Sequence, residues 1–391
     1  MLAFPELSEA VRTASAIRVT TKLQPVGGPG DKVFPPTYGA KDGEDGTCYS
    51  FEDRVLPNGE MLRCHVIDSV QSQANRFEEA LNDAVDEGRL QVPRLVLDFA
   101  GTGHADLGRL SSLQAPHRIA DAYFRDAQLD GENFRRSPQG QRFEAATTRH
   151  ATAIFELDPC SLVFGYWNST GLEKGRPQNR IHRSLTSEIV ALGTVPGERS
   201  SSRIDPYFTG KGVTVYEGPE KQPVFEEQPK KYGDGKPSEI NLGNILPTVS
   251  SPGGVTMRYA EQKTVVSLAA LRKLRFPRDD ESVSPERNHA AQTVLASIAL
   301  VAIELQREAG YWLRSRCDLY AAEPPMREIV GGAGTTFDLD LAGAILLFDA
   351  AREAALSQGL AWTRYDWALT PGERLLSWAS AAKAALTGAE G

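Results

Sequence analysis

The chain has 391 residues, enough for one elaborated domain or two or three small ones, and 41% apolar content supplies a real core. Its formal net charge of -8 argues against a protein wrapped non-specifically in nucleic acid, because phosphate binding draws on Lys and Arg. The charge is uneven: residues 42–60 carry six acids and one base, 174–211 carry seven bases and three acids, and 263–278 carry five bases and no acid. Basic stripes on an acidic body suit a protein that grips one polyanion in one groove.

The N-terminus, Met1 to Glu9, lacks the basic start and apolar run of a secretory leader, and no apolar run of membrane length is seen. The four cysteines form no CxxC, and Cys64-His65 has no further ligand at metal spacing. The expectation is a cytoplasmic protein with reduced thiols, no metal, no cofactor and no membrane partner.

Ala16 to Val26 reads as an opening strand that runs into the glycine-rich loop Gly27–Lys32. That loop lacks the spacing of a Walker or dinucleotide motif. Its glycines suit either a plain turn or a phosphate cradle with Lys32 as counter-charge. Asp31, its one carboxylate, is either a turn residue or, with a metal and an RNA strand, a candidate for in-line cleavage. Glu60 to Ile67 reads as a strand feeding a helix over Ser69–Glu87, whose Val70, Ala74, Phe77, Leu81 and Val85 form an apolar stripe. Ser69, Ser72, Gln73 and Arg76 then share a flank, which is either ordinary solvated surface or a surface for a phosphodiester backbone.

A short strand follows at Arg94–Phe99, then a base-rich stretch over 113–143. His117 and Arg118 precede a helical start and suit phosphate contact. As an acid/base group His117 has no nucleophile motif beside it. Ala145 to Asp158 reads as helix and Ser161 to Trp167 as strand. If Asn179–Glu188 is helical, Arg180, Arg183 and Ser187 share a face, as an arginine ladder or as solvated surface with an Arg183–Glu188 contact. Arg203 sits beside hydroxyls and is placed to bind phosphate or pair with Asp205.

Residues 210–254 are rich in Gly and Pro and read as a projecting insertion, a β-hairpin arm without its own core. Beyond it, Thr264 to Phe276 begins as a strand, and Ser284-Pro285-Glu286 starts a largely apolar, buried helix to Glu308. Tyr311–Ala321 alternates as a strand. Helices follow near Ala342–Leu356 and Pro371–Leu386, the latter with a capping box at Thr370-Pro371-Gly372-Glu373. The order is one elaborated α+β domain over 1–391, with two split βαβ halves and insertions between them. That is a ferredoxin-like, RRM-type sheet. The many phosphate-binding groups come without a triad, dyad or metal set, which favours binding over catalysis.

The segments KVFPPTY (32–38), DSVQSQANR (68–76), APHRIADAYFRD (115–126), LVFGYWNST (162–170), RSLTSEIV (183–190) and SRIDPY (202–207) together resemble one family. It is the RAMP-superfamily backbone subunit of the type I-G (formerly I-U) CRISPR surveillance complex. The resemblance covers roughly residues 16–320. It implies a modified RRM palm with inserted finger and thumb elements, 210–254 among them. It also implies a non-catalytic role: copies line up along one CRISPR RNA and present its spacer to target DNA. The implied partners are other copies of the chain, a subunit capping the repeat-derived end, a large subunit and a recruited helicase-nuclease. Carried over by position, Lys22, Lys32, Gln71, Gln73, Asn75 and Arg76 become guide contacts. His117, Arg118, Arg125, Arg180, Arg183, Arg203 and Lys211 follow as further ones. Two other classes stay open: a metal-dependent RNA-cleaving backbone subunit using Asp31, and a small-molecule phosphate-binding enzyme using Gly27–Lys32.

Overall fold

A computed structural model describes residues 1–39, 47–169, 179–207, 212–331 and 334–388. The protein is mixed α/β, with a curled antiparallel sheet that forms a half-barrel. The strands of that sheet used below are β1 Ala16–Pro25, β2 Phe51–Val55, β3 Met61–Asp68, β4 Leu185–Leu192, β5 Tyr259–Ser267, β6 Tyr311–Arg314, β7 Cys317–Ala321 and β8 Met326–Val330. Their order is β6-β7-β1-β5-β4-β3-β2. One edge of β1 pairs with β5, and the other is shared between β7 at Leu23–Pro25 and β8 at Ala16–Thr20. β1 and β4 therefore run parallel with the antiparallel β5 between them.

The sheet alternates as its sequence demands. On β1, Ile17, Val19, Thr21 and Leu23 are buried, while Arg18, Thr20, Lys22 and Gln24 lie toward the opposite, open face. The helices packed on the buried side include α1 Phe4–Thr13, α2 Val70–Asp86, α3 Pro285–Ala309 and α4 Leu341–Ser357. The amphipathic stripe and Ser69 cap expected for α2 are present, with the Ser69 side chain accepting from the Ser72 N–H. α3 begins at Pro285 under a Ser284 cap. By length and composition α3 is apolar enough to cross a membrane, which amends the expectation drawn from the sequence. Its most apolar window is 94% buried inside the protein, as in a core helix. α1 was not anticipated, although Glu6 reaches back to the Ala3 N–H and Leu7, Ala10 and Val11 are buried.

Between sheet and helices runs a line of buried polar groups. The Gln73 amide donates to Asp68 at 2.6 Å, and its carbonyl oxygen accepts from Ser187 at 3.0 Å and Gln262 at 2.8 Å. Gln262 also donates to Gln306 at 2.8 Å and accepts from the Tyr311 hydroxyl at 3.1 Å. Each contact replaces one with water that burial removed, which is the condition for polar groups to lie there.

Other segments fold differently from their sequence reading. Ser161–Trp167 is a helix, Pro159–Phe164, followed by the strand Tyr166–Asn168. Asp158 caps that helix, and a short buried apolar run carries no periodicity to separate helix from strand. Asn179–Glu188 is not helical: Asn179–Ile181 pairs with Tyr166–Asn168, and Leu185 opens β4. Ala145–Asp158 is helical only at Thr152–Leu157, after a separate helix Pro138–Glu144. Thr370 and Pro371 end a strand, Asp366–Pro371, rather than cap a helix, and α5 is Glu373–Gly388. That strand pairs parallel with Arg94–Asp98, so the C-terminal residues complete a second, five-stranded sheet.

The arm is a two-stranded ribbon. Arg199–Arg203 pairs with Ile245–Ser250, and below them Val195–Pro196 pairs with Val255–Thr256. Its stalk begins at Val195, earlier than residue 210. A small hairpin, Tyr216–Glu217 with Pro223–Val224, lies within it.

Two outcomes test this account of the core. Gln262→Leu strands the Gln306 oxygen and takes an acceptor from the Tyr311 hydroxyl, and is expected to cost about 1–3 kcal/mol in urea unfolding; a neutral result contradicts the network. His65 is fully buried between Tyr49 and Phe51, its Nδ1 on the Ser50 carbonyl and its Nε2 without a partner among the described residues. Burial lowers its pKa below the ordinary value, so the unfolded chain binds the proton more readily. Its stability contribution is complete above about pH 6.5 and is lost as pH falls below that. His65→Phe should flatten the decline in stability between about pH 7 and pH 5 relative to wild type.

Candidate nucleic-acid interface

The open face of the sheet carries many cations, and carboxylates answer them. Arg18 pairs with Glu328 at 2.8 Å, Lys22 with Glu323 at 2.7 Å, Arg54 with Glu188 at 2.7 Å and Lys263 with Glu261 at 2.9 Å. The Glu328 hydrogen bond raises the Arg18 pKa, and that of Glu323 raises Lys22. A unit charge 4 Å from a phosphate is attracted by about 1 kcal/mol in water and about 4 kcal/mol near a protein surface. A cation already held on a carboxylate offers a polyanion little of that.

The edge of the sheet is different. Arg76 of α2 reaches over β6, its guanidinium donating to the Trp312 carbonyl at 3.3 Å and the Leu313 carbonyl at 2.9 Å. Further along, Arg314 donates to the Pro35 carbonyl at 3.3 Å. In the turn to β7, Arg316 lies over the Phe34 ring at 4.3 Å, while the Phe34 N–H donates to the Arg316 carbonyl. Lys32 lies over the same ring at 5.5 Å and donates to the Glu198 carbonyl at 2.7 Å. Its alkyl chain runs along Gly197 and Gly254, where an added Cβ would fall 3.0 and 2.7 Å from it. Arg199, next on the ribbon, donates to the Ser250 hydroxyl at 3.0 Å.

Contacts therefore run unbroken from α2 across the β6–β7 hairpin and Phe34 to the foot of the arm. Lys32, Arg199, Arg314 and Arg316 all lie along it. Their partners among the described residues are carbonyls, a hydroxyl and a ring, none of which cancels charge. Arg199, Arg314, Arg316 and Trp312 are exposed. Positive charge beside aromatic surface is what a nucleic-acid strand requires.

Of the sequence candidates, Lys32 lies in this strip and Arg76 holds it in place. Arg76 is itself fixed at 2.9 Å on Asp68, a carboxylate only 3% exposed, so it acts as a clasp between elements. Gln71 and Asn75 are exposed on the first turns of α2, but Gln73 is fully buried in the polar line and is a core residue. Lys22 sits on the neutralised face. Arg118 is buried, bonded through both Nε and Nη2 to Glu78 and through Nη1 to the Gly165 carbonyl at 3.0 Å, which removes it from any surface. Burial pushes the Glu78 carboxyl up to about 7 against the pull of Arg118. Arg183 is half-buried, donating to the Phe164 and Val70 carbonyls, and does not meet Glu188, which holds Arg54. Arg125 is drawn to Asp126 at 2.8 Å. His117 and Arg180 are exposed away from the contacts just traced, Arg203 is half-buried at the end of its ribbon strand, and Lys211 lies outside the described residues.

Gly27–Lys32 does not form an open cradle. Asp31 folds back over Gly27, where a Cβ would fall 2.0 Å from its Oδ2, and its Oδ1 accepts from the Lys32 N–H at 2.8 Å. Among the described residues no cluster of three His, Cys, Asp or Glu side chains is arranged to hold a metal.

Residues 17–196 match the family model described as CRISPR-associated protein GSU0053. No curated protein matches the chain. The matched stretch runs from β1 past the end of β4 and includes Lys32 and Phe34, while the β6–β7 hairpin lies beyond it.

Sequence reading passed over Trp312, Arg314, Arg316 and Phe34. The available signal was the alternation in YWLRSR, which puts Trp312 and Arg314 on one face of β6.

Removing Arg118 separates a structural role from a guide contact. Arg118→Met leaves Glu78 buried without its cation and should lower unfolding stability by about 3–5 kcal/mol with no RNA present. Unchanged stability would contradict the buried-pair assignment.

Proposed function

We propose that this chain is a CRISPR-associated, non-catalytic backbone subunit that binds the CRISPR RNA and holds its spacer for pairing with target DNA in antiviral defence. The observation that carries the reading is the strip of uncancelled cations from the β6–β7 hairpin to the foot of the arm, in a chain whose residues 17–196 match a CRISPR-associated family. A grip made by such cations falls on the phosphodiester backbone, leaves base edges free, and is indifferent to spacer sequence. The strand order supports an RRM-like palm. Taken as β1, α2, β4, β5, α3 and then β7 with β8, the chain builds a sheet in which the last strands flank β1, and β5 and β4 follow on its other side. That order supports a split βαβ reading, with β3 and β2 added at the far edge. The ribbon 195–256 then serves as the inserted thumb or finger.

By the resemblance of its sequence, the subunit belongs to a type I-G surveillance complex in the cytoplasm. Its partners there are further copies of itself, a repeat-end capping subunit, a large subunit and a recruited helicase-nuclease. Asp31, turned onto its own loop, has no part in this reading.

Binding should weaken steeply with salt. Replacing Arg199, Arg314 and Arg316 together by Ala removes three phosphate contacts and should lower the magnitude of the log–log salt slope for single-stranded RNA by about 2. Arg18→Ala with Lys263→Ala, on the neutralised face, should leave that slope within error. The reverse pattern, or binding that tracks spacer sequence, contradicts the proposal.

A further inference from the structure

We infer that Trp312 is a stacking platform for one unpaired base, so that the strip selects single-stranded over duplex nucleic acid. The inference rests on the RNA-binding reading above and adds a determinant that charge alone does not supply.

Trp312 stands on β6 with 65% of its surface exposed. Of the aromatic side chains around it, Phe34 lies beneath Lys32 and Arg316, Tyr311 is buried with its hydroxyl on Gln262, and Tyr320 of β7 is less exposed, at 43%. The backbone under Trp312 is fixed, because Arg76 grips the carbonyls of residues 312 and 313 and is itself held by the buried Asp68. The indole is therefore presented from an anchored strand, and ordering it costs little on binding. Arg314, also exposed on β6, follows Trp312 across a break in register, and it has no carboxylate partner among the described residues, while Asp318 of β7 pairs opposite Trp312.

An exposed aromatic ring beside uncompensated cations fits a nucleotide: the phosphate meets the guanidinium and the base covers the ring. In a duplex the bases are stacked on one another, and only the phosphates remain available. The occupant is thus a base of a single-stranded polynucleotide. An apolar partner peptide would gain nothing from the flanking arginines.

The test uses the full chain and a fluorescently labelled mixed-sequence RNA of about thirty nucleotides, single-stranded or annealed to its complement. Trp312→Ala should weaken single-strand binding roughly tenfold with the salt slope unchanged, while Trp312→Phe stays near wild type and duplex affinity does not move. Arg314→Ala should weaken both forms and reduce the slope. If Trp312→Ala binds single strands like wild type while Arg314→Ala loses affinity, the stacking inference is wrong and the charged strip stands. If neither variant changes binding, or the wild type binds no RNA, the RNA-binding reading itself fails and the inference with it. Circular dichroism and the thermal midpoint confirm that each variant folds.

Discussion

The Asp68 carboxylate, 3% exposed, is the point on which the candidate surface depends. It lies at the end of β3, one residue before the cap of α2, and accepts from both Gln73 and Arg76. Through Gln73 it fixes the helix to the polar line under the sheet. Through Arg76 it fixes the helix to the backbone of β6, and so sets where Trp312 and Arg314 stand. A carboxylate so deeply buried persists only with such partners, since an unpaired one would neutralise or unfold the site. The flank of α2 that reads from sequence as either solvated surface or a polyanion surface is thus divided. Gln73 and Arg76 turn inward to hold the structure, and Gln71 and Asn75 remain outside.

The net charge of -8 is compatible with a specific grip because of where cations are cancelled. On the open sheet face Arg18, Lys22, Arg54 and Lys263 each meet a carboxylate, and the face is close to neutral. Along the edge, carbonyls and the Phe34 ring orient the cations without neutralising them. A polyanion approaching an acidic body is drawn to the edge and finds little on the face.

Local elements whose signals are local were legible in the sequence. The 3.6-residue stripe and Ser69 gave α2, Ser284-Pro285 gave the start of α3, and alternation gave β1. Segment 161–167 reads as a strand and is mostly helix because a short apolar run is ambiguous, and at 179–188 strand pairing removes the condition on which an arginine face rested. The site was the least legible part. Lys22 and Glu323 lie 301 residues apart in sequence, and Arg18 and Glu328 lie 310 apart, so no local pattern shows those charges to be cancelled. Arg118 and Glu78 are separated by 40 residues, and only the fold shows that they meet in the interior.

The most direct test is to cross-link the chain to a bound CRISPR RNA with ultraviolet light and map the adducts by mass spectrometry. Adducts on the peptide bearing Trp312, with none on the open-face Tyr259, are the predicted result. Adducts confined to Tyr259 would place the guide on the neutralised face and contradict the account.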